Sequence, residues 1–186
     1  MMVFSLKSKK NMQISESLRE ERLDSKENHM CLVNYFECLS EEMEIYLRGE
    51  AFKYNKEGRG NTYLILDNEN VIVAYYTLKA NSIGLNDEFT DRIELIPCVE
   101  IARFAVNRKY KGKNLGELIF IYYVLNKIIK TSELIGVKQI MLFSDPEEKV
   151  IKFYKNLGFS MQENNILNKY IKETDNEGCK LMYMSM

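Results

Sequence analysis

The chain has 186 residues, 46% of them hydrophobic, which predicts one domain, residues 1–186, with a sizeable core. Its 26 Lys and Arg residues balance 27 Asp and Glu residues, which excludes a strong overall field for nucleic acid or a membrane surface. The four cysteines lack CxxC or metal-ligand spacing, no apolar run reaches membrane-span length, and the first residues lack a signal-peptide pattern. We therefore expect a cytoplasmic protein with no metal site and no membrane attachment.

The first 30 residues carry the weakest pattern. Residues 4–6 are compatible with an edge strand, and the charged segment 15–29 predicts either an exposed helix or a loosely held stretch. His29 lies in this segment, and we expect it to be exposed to solvent rather than to act as a catalytic base.

A helix and three strands are predicted next. The helix spans 35–51, with Ser40 as its N-cap before two glutamates. Two β-rich segments separated by a short Asn-containing turn predict a hairpin, and a third strand follows a polar loop. We place these strands at 62–67, 71–80 and 94–106, the loop at 84–91, and Pro97 at the start of the third strand or at a bulge.

The segment 101–135 combines a strand end, a basic loop and a helix. Residues 104–106 are apolar, as expected for a strand buried on both faces. Basic residues then surround Gly112 and Gly116, and apolar residues recur at helical spacing up to residue 135, where Gly136 is placed to end the helix. A glycine-bearing turn before a helix directs backbone N–H groups and the helix dipole at one place, which predicts an anion site. The alternative for this loop alone is a solvated basic turn.

The rest of the chain completes a mixed sheet. A strand at 138–143 follows a crossover helix and should run parallel to the third strand. A second helix opens with Pro146 at its first position and ends at Gly158. Strands at 159–162 and 179–186 form an antiparallel pair at the end of the sheet. The predicted fold is α/β (α+β), with a mixed, mostly antiparallel sheet and helices on both faces.

Two motifs resemble those of the Gcn5-related N-acetyltransferases. KGKNLG at 111–116 is similar to their acetyl-CoA loop: Gln or Arg, two residues, Gly, one residue, then Gly or Ala. Lys111 stands in place of Gln or Arg, and Asn114 in place of the first Gly; Asn tolerates left-handed backbone better than most residues. FYKNLGF at 153–159 is similar to the family's helix-to-strand turn.

The resemblance implies a bacterial enzyme that transfers an acetyl group from acetyl-CoA to a primary amine by direct attack on the thioester. Tyr154 would protonate the departing thiolate, a step that is uphill by only about 1.5 pKa units for an ordinary phenol and thiol. Main-chain groups at the end of the third strand would bind the pantetheine arm and the thioester oxygen. The implied acetyl-CoA-binding residues are Phe104, Ala105, Val106, Lys111, Gly112, Lys113, Asn114, Leu115, Gly116 and Glu117.

The sequence offers several candidates for the general base. Glu100 is our candidate because it lies on the strand that leads to the loop, and a carboxylate in a partly dry cleft is suited to take a proton. Asp145, Glu147, Glu148 and proton relay by water are alternatives.

The acceptor is also open. Segments 75–83, 96–106 and 133–142 resemble the acetyltransferase toxins of bacterial toxin–antitoxin pairs, which acetylate aminoacyl-tRNA. Arg103 falls where that branch carries an Arg and is therefore a candidate substrate-binding residue. The acceptor is expected to be a small-molecule or protein amine, with tRNA as the toxin alternative and a non-catalytic acyl-CoA-binding module as another. A homodimer is compatible with the fold.

Overall fold

The computed structural model describes residues 17–24, 27–86, 93–112, 114–162, 176 and 178–186. Predictions for residues 4–6, for 87–91 of the polar loop and for Lys113 lie outside these residues. The strands are β1 (Arg19–Arg22), β2 (Asn61–Leu66), β3 (Ile72–Asn86), β4 (Ile93–Val106), β5 (Gln139–Ser144), β6 (Ser160–Met161) and β7 (Lys180–Ser185). The helices are α1 (Glu27–Asn34), α2 (Glu41–Ile45), α3 (Ala51–Lys56), α4 (Leu115–Ile119), α5 (Asn126–Ser132) and α6 (Glu148–Asn156). None of the helices in these ranges is long and apolar enough to cross a membrane.

Within the described residues, seven strands form one sheet in the order β1-β2-β3-β4-β5-β7-β6. β1 runs antiparallel to β2, and β7 runs antiparallel to both β5 and β6. β4 runs parallel to β5, which confirms the predicted crossover. The mixed, mostly antiparallel sheet and the antiparallel strand pair at its end are confirmed as well.

The two central strands differ from their predicted limits. β3 continues beyond the predicted end at residue 80, so the first residues of the predicted loop belong to a strand. β4 covers the predicted third strand, but Pro97 lies inside it rather than at its start. The Pro97 carbonyl accepts a hydrogen bond from the N–H of Lys138 at 2.9 Å, so the proline still takes part in backbone hydrogen bonding through its acceptor.

The chain folds as two compact units, one with the described residues of Met1–Tyr76 and Phe104–Asn126, the other with those of Thr77–Arg103 and Lys127–Met186. The core of the first unit is built from apolar side chains of α1–α3, the first strands and the end of β4. Tyr75 is central to it: its ring lies 5.3 Å from Phe36 and 6.4 Å from Tyr46, and its hydroxyl donates to the carbonyl of Met43 at 2.7 Å.

The helix predicted at 35–51 begins and ends later. Ser40 is the N-cap as predicted, and α2, a π-helical segment and α3 follow it without a break. Residues 35–39 stay outside the helix because their backbone has tertiary partners. The carbonyl of Glu37, for example, accepts the N–H of Arg108 at 2.8 Å.

For the charged segment 15–29, the prediction of a helix or a loosely held stretch was wrong at residues 19–22, whereas residues 27–29 begin helix α1. Arg19–Arg22 forms β1, a polar edge strand of the kind that resists further strand pairing. The expected exposure of His29 was also wrong, because its side chain is 1% exposed. Its Nε2 lies 2.9 Å from a carboxylate oxygen of Glu21, and its Nδ1 lies 3.1 Å from one of Asp24. The Glu21 carboxylate thus satisfies Nε2, and Nδ1 accepts the backbone N–H of Asp24 at 3.2 Å, so a histidine that the polar sequence had placed at the surface is buried with partners.

The second unit packs β5 and β7 around a small core that includes Cys98, Met141 and Leu181. α6 begins at Glu148, so Pro146 precedes the helix instead of opening it. Gly158 adopts φ +98° just after α6, which confirms the predicted glycine stop.

The helical run that starts at residue 115 ends at Ser132, earlier than the predicted end at residue 135. The N–H groups of Leu134 and Ile135 both donate to the carbonyl of Thr131, at 3.0 and 3.1 Å. These two bonds close the final turn. Gly136 comes after this turn and therefore does not end the helix.

Candidate functional site

The loop between β4 and α4 has the backbone that an anion-binding turn needs. A 3-10 turn spans Arg108–Tyr110, Gly112 follows with φ +79°, and Asn114 has φ 54° and ψ 19°. Asn114 therefore occupies the left-handed region in place of glycine, as its tolerance of that region predicts. Its side chain makes no capping hydrogen bond, so its contribution to the loop is its backbone conformation.

Asn107 fixes the start of this loop. It is buried, its N–H donates to the carbonyl of Val73 at 2.8 Å, and its Nδ2 donates to the carbonyl of Ile72 at 3.0 Å. Its Oδ1 accepts the N–H of Lys109 at 3.0 Å and so caps the 3-10 turn. One side chain therefore ties the end of β4 to β3 and sets the direction in which the loop leaves the sheet.

A second anchor joins Tyr110 to the turn between β2 and β3. The Tyr110 hydroxyl donates to Oδ2 of Asp67 at 2.5 Å. The other oxygen, Oδ1, accepts the backbone N–H groups of Glu69 and Val71, each at 2.9 Å. Burial acts to raise the pKa of Asp67, but these hydrogen bonds outweigh it and the pKa lies below its usual value. Burial and the neighbouring carboxylate raise the pKa of Tyr110 to about 12, so the phenol remains a donor.

Positive charge and backbone N–H groups meet at this turn. Lys109 and Lys111 are exposed and add positive charge to the turn, whereas the Arg108 guanidinium lies 3.6 Å from a carboxylate oxygen of Glu37. The Cβ position of Gly112 faces open space, which leaves the turn accessible. The first turn of α4 begins directly after Asn114, and N–H groups of a helix's first turn point away from the helix body toward a bound anion.

Tyr154 lies in the second unit, near the end of α6. Its half-buried ring makes edge contacts with Phe153 and Phe159, at centroid distances of 5.1 and 5.9 Å. Burial raises the pKa of its phenol, so the group keeps its proton throughout the neutral range. The helix-to-strand motif at 153–159 thus orients this phenol by aromatic packing.

Glu100 is buried in the second unit, with 2% of its surface exposed. One carboxylate oxygen lies 3.0 Å from Nζ of Lys79, and the other accepts Nδ2 of Asn81 at 2.5 Å. The alternative carboxylates are exposed, and Glu147 is paired with Lys149. Of the four candidates, Glu100 is the one that the fold removes from bulk water.

The strand that carries Glu100 pairs with β5 over a short register. Cys98–Glu100 align with Gln139–Met141, while β5 continues to Ser144 and β4 continues through Arg103. In the described residues of the second unit, 101–103 lie beyond this register. Arg103 is half-buried, and its guanidinium donates to the carbonyl of Ala102 at 2.9 Å.

The chain matches the model of a known protein family. The model of the acetyltransferase (GNAT) family matches residues 17–159. The chain belongs to the GNAT family of acetyltransferases. It is an acetyl-CoA-dependent N-acetyltransferase.

Solved structures similar to this acetyltransferase include several toxins. AtaTR bound with acetyl-CoA shares 20% identity at a TM-score of 0.71, over 91% of this chain and 94% of that chain. AtaT complexed with acetyl-methionyl-tRNA shares 20% identity at a TM-score of 0.69, over 90% of this chain and 94% of that one. A tyrosine-to-phenylalanine mutant of KacT shares 17% identity at a TM-score of 0.70, over 91% and 95%. At these identities the likeness establishes a shared fold.

The two units divide the site residues predicted from the sequence. The loop residues and 104–106 belong to the first unit, whereas Glu100, Arg103 and Tyr154 belong to the second. Among the described residues, no group of three or more His, Cys, Asp or Glu side chains is arranged to hold a metal ion.

Three residues that hold the loop in place were not predicted from the sequence: Asn107, Asp67 and Tyr110. Asn107 carries a local signal, since an Asn directly after a strand often caps the following turn. No local pattern links Tyr110 to Asp67, because they are 43 positions apart.

Proposed function

We propose that the loop at 107–117 binds the diphosphate of acetyl-CoA and that Tyr154 protonates the coenzyme A thiolate during acetyl transfer to a primary amine. The observation that carries the first part is the pair of left-handed residues, Gly112 and Asn114, directly before α4. Two such residues turn successive backbone N–H groups toward one side of the loop, where a diphosphate would accept them.

The reaction requires one bond to form and one to break. The amine nitrogen attacks the thioester carbonyl carbon and forms the C–N bond; the C–S bond breaks, and its electron pair leaves on sulfur. We assign the proton that sulfur takes up to the Tyr154 hydroxyl. A positioned general acid contributes a factor of about 10² to 10⁴ in rate. The ring contacts of Tyr154 with Phe153 and Phe159 support this role because they restrict its orientation.

Main-chain groups at the end of β4 complete the proposed acetyl-CoA site. We assign hydrogen bonds to the pantetheine arm and the thioester oxygen to the backbone of Phe104, Ala105 and Val106. Their position supports this assignment, because they end the strand that leads into the loop. Backbone N–H groups held by a strand stabilise developing negative charge on the carbonyl oxygen without reorganising.

The amine must lose a proton, and we propose Glu100 as the group that receives it. Its burial supports the choice, since a carboxylate shielded from water interacts strongly with a nearby ammonium group. Lys79 and Asn81 occupy part of its hydrogen-bonding capacity, and each carboxylate oxygen still has a second lone pair. Relay by water is the competing route and is tested below.

For the acceptor, we propose the α-amino group of an aminoacyl-tRNA. Support comes from AtaT, which has been solved with acetyl-methionyl-tRNA and whose fold this chain shares, and from the sequence likeness around Arg103. We propose Arg103 as a contact to this substrate. The net charge of −1 is modest for tRNA binding, so any contact to the phosphate backbone has to come from local basic residues.

A turnover screen tests the proposal. Purified protein is incubated with radiolabelled acetyl-CoA and, separately, with charged tRNA, uncharged tRNA, free amino acids, polyamines and peptides. We expect label on charged tRNA alone, and growth arrest when the protein is expressed without an antitoxin. Label on a small amine or a peptide instead would replace the tRNA acceptor but keep the transferase. Acetyl-CoA binding without turnover on any acceptor would indicate a non-catalytic binding module.

A further inference from the structure

We propose that Tyr110 is a positioning residue for acetyl-CoA, which holds the diphosphate loop in its binding conformation through a hydrogen bond to Asp67. The proposal rests on the assignment of the loop at 107–117 to the diphosphate. It adds two features to the proposed site. One is Tyr110, which does not contact the substrate, and the other is the turn at 67–71 between β2 and β3.

The geometry indicates a strong bond between two pre-oriented groups. The donor–acceptor distance of 2.5 Å is at the short end of the range for a hydroxyl that donates to a carboxylate. Asp67 cannot rotate freely, because its other oxygen accepts the N–H groups of Glu69 and Val71. Arg19 reinforces the same turn by donating to the Asp67 carbonyl at 2.8 Å and to the side chain of Asn70.

Tyr110 lies directly before the part of the loop that we assign to the diphosphate. It is the last residue of the 3-10 turn, one residue before Lys111 and two before Gly112. Asn107 fixes the other end of that turn to β3, and the two left-handed residues, Gly112 and Asn114, follow it. The side chain of Tyr110 therefore restrains the loop directly before these two residues.

Loss of this restraint should weaken binding in a defined way. When only a fraction of molecules hold the loop in its binding form, the apparent affinity for the ligand falls by that fraction. A hydrogen bond to a charged group typically corresponds to a change of about tenfold or more in such an equilibrium. The step after binding does not involve Tyr110, so kcat should be preserved.

The test compares three thioesters: acetyl-CoA, S-acetyl-4′-phosphopantetheine and S-acetylpantetheine, the last of which lacks every phosphate. Tyr110→Phe should raise KM for acetyl-CoA about tenfold with unchanged kcat. It should leave kcat/KM for S-acetylpantetheine unchanged, because that substrate does not use the diphosphate loop. A purely structural defect would lower activity with all three substrates.

Two further variants keep the test decisive. Asp67→Asn retains an oxygen for the Glu69 and Val71 amides, removes the charged acceptor of Tyr110, and should raise KM for acetyl-CoA by a similar factor. Tyr123→Phe is the matched control: its half-buried hydroxyl donates to the Leu18 carbonyl at 2.9 Å, away from the loop. It should leave KM unchanged.

The outcomes separate this proposal from the one it rests on. If the wild type uses acetyl-CoA and S-acetylpantetheine equally well, the diphosphate is not recognised and the assignment of the loop fails. If the wild type strongly prefers acetyl-CoA and Tyr110→Phe keeps that preference, the loop assignment stands and the role of Tyr110 is refuted. If Asp67→Asn lowers KM while Tyr110→Phe has no effect, Asp67 acts as a repelling charge and not as an anchor.

Discussion

Replacing Gly112 by Ala should strain the diphosphate loop without creating a steric clash. Gly112 has φ +79°, and a Cβ added there meets no atom within 4 Å. The cost is therefore conformational, and a non-Gly residue in left-handed backbone costs roughly 1–2 kcal/mol. For a chain of this size, about 1 kcal/mol corresponds to a fall in Tm of about 2–4 °C. If the free loop relaxes, the same energy has to be recovered on binding, which raises KM for acetyl-CoA by about 5- to 30-fold.

Two other glycines provide matched controls. Gly58 has φ +69° and open space around its Cβ position, but lies in the turn after α3, so Gly58→Ala should lower Tm without changing KM. Gly136 also has open space and no left-handed φ, so Gly136→Ala should change neither quantity. Tm is measured by scanning calorimetry and KM from initial rates. An unchanged KM together with an unchanged Tm in Gly112→Ala, or an equal rise in KM in Gly58→Ala, would refute the link between this backbone position and acetyl-CoA binding.

Three other variants test the remaining groups. Tyr154→Phe should lower kcat at least about tenfold and leave the calorimetric affinity for acetyl-CoA unchanged; an equal kcat removes Tyr154 from the acid role. Glu100→Gln should lower the free energy of unfolding by about 1–3 kcal/mol, since the Lys79 ammonium loses its charged partner. If Glu100 is the base, this variant also lowers kcat/KM, by a factor of about 10² to 10⁴, whereas an unchanged kcat/KM favours water. Hydrogen bonds from His29 and Arg19 hold the pKa of Glu21 below its ordinary 4.5, so its carboxylate stabilises the fold above that pH and loses this contribution as the pH falls through the lowered value. Glu21→Gln should therefore flatten the dependence of Tm on pH in that acidic range, and an unchanged slope contradicts the coupling.

The features predicted correctly are those set by local backbone chemistry. Ser40 caps α2, Gly158 follows α6 with positive φ, and Asn114 takes a left-handed conformation before α4. Each depends on the preferences of one residue and its immediate neighbours, which a sequence displays directly. The crossover from β4 to β5 was predictable for a related reason: parallel strands in one sheet require a long connection, and the chain supplies a helix there.

The failed predictions share a different cause. His29 was placed at the surface because its neighbours are polar, yet two of those polar neighbours, Glu21 and Asp24, are what allow it to be buried. Residues 35–39 were predicted to be helical, but the Glu37 carbonyl bonds to Arg108, which lies far along the chain. Tertiary partners thus overrode local preference, and a single sequence does not reveal such partners.

The departures of the loop from the family pattern explain why anchors outside the motif carry so much of the structure. With Asn114 in the place of a glycine and no capping hydrogen bond from its side chain, the motif itself supplies backbone angles but little restraint. The restraint comes from contacts to three other segments, made by Asn107, Arg108 and Tyr110. These three bonds all lie within residues 107–110, so the turn is positioned before the left-handed backbone begins at Gly112. A substitution in the β2–β3 turn should consequently affect acetyl-CoA binding as strongly as one within the loop, although that turn carries no recognisable acetyltransferase motif.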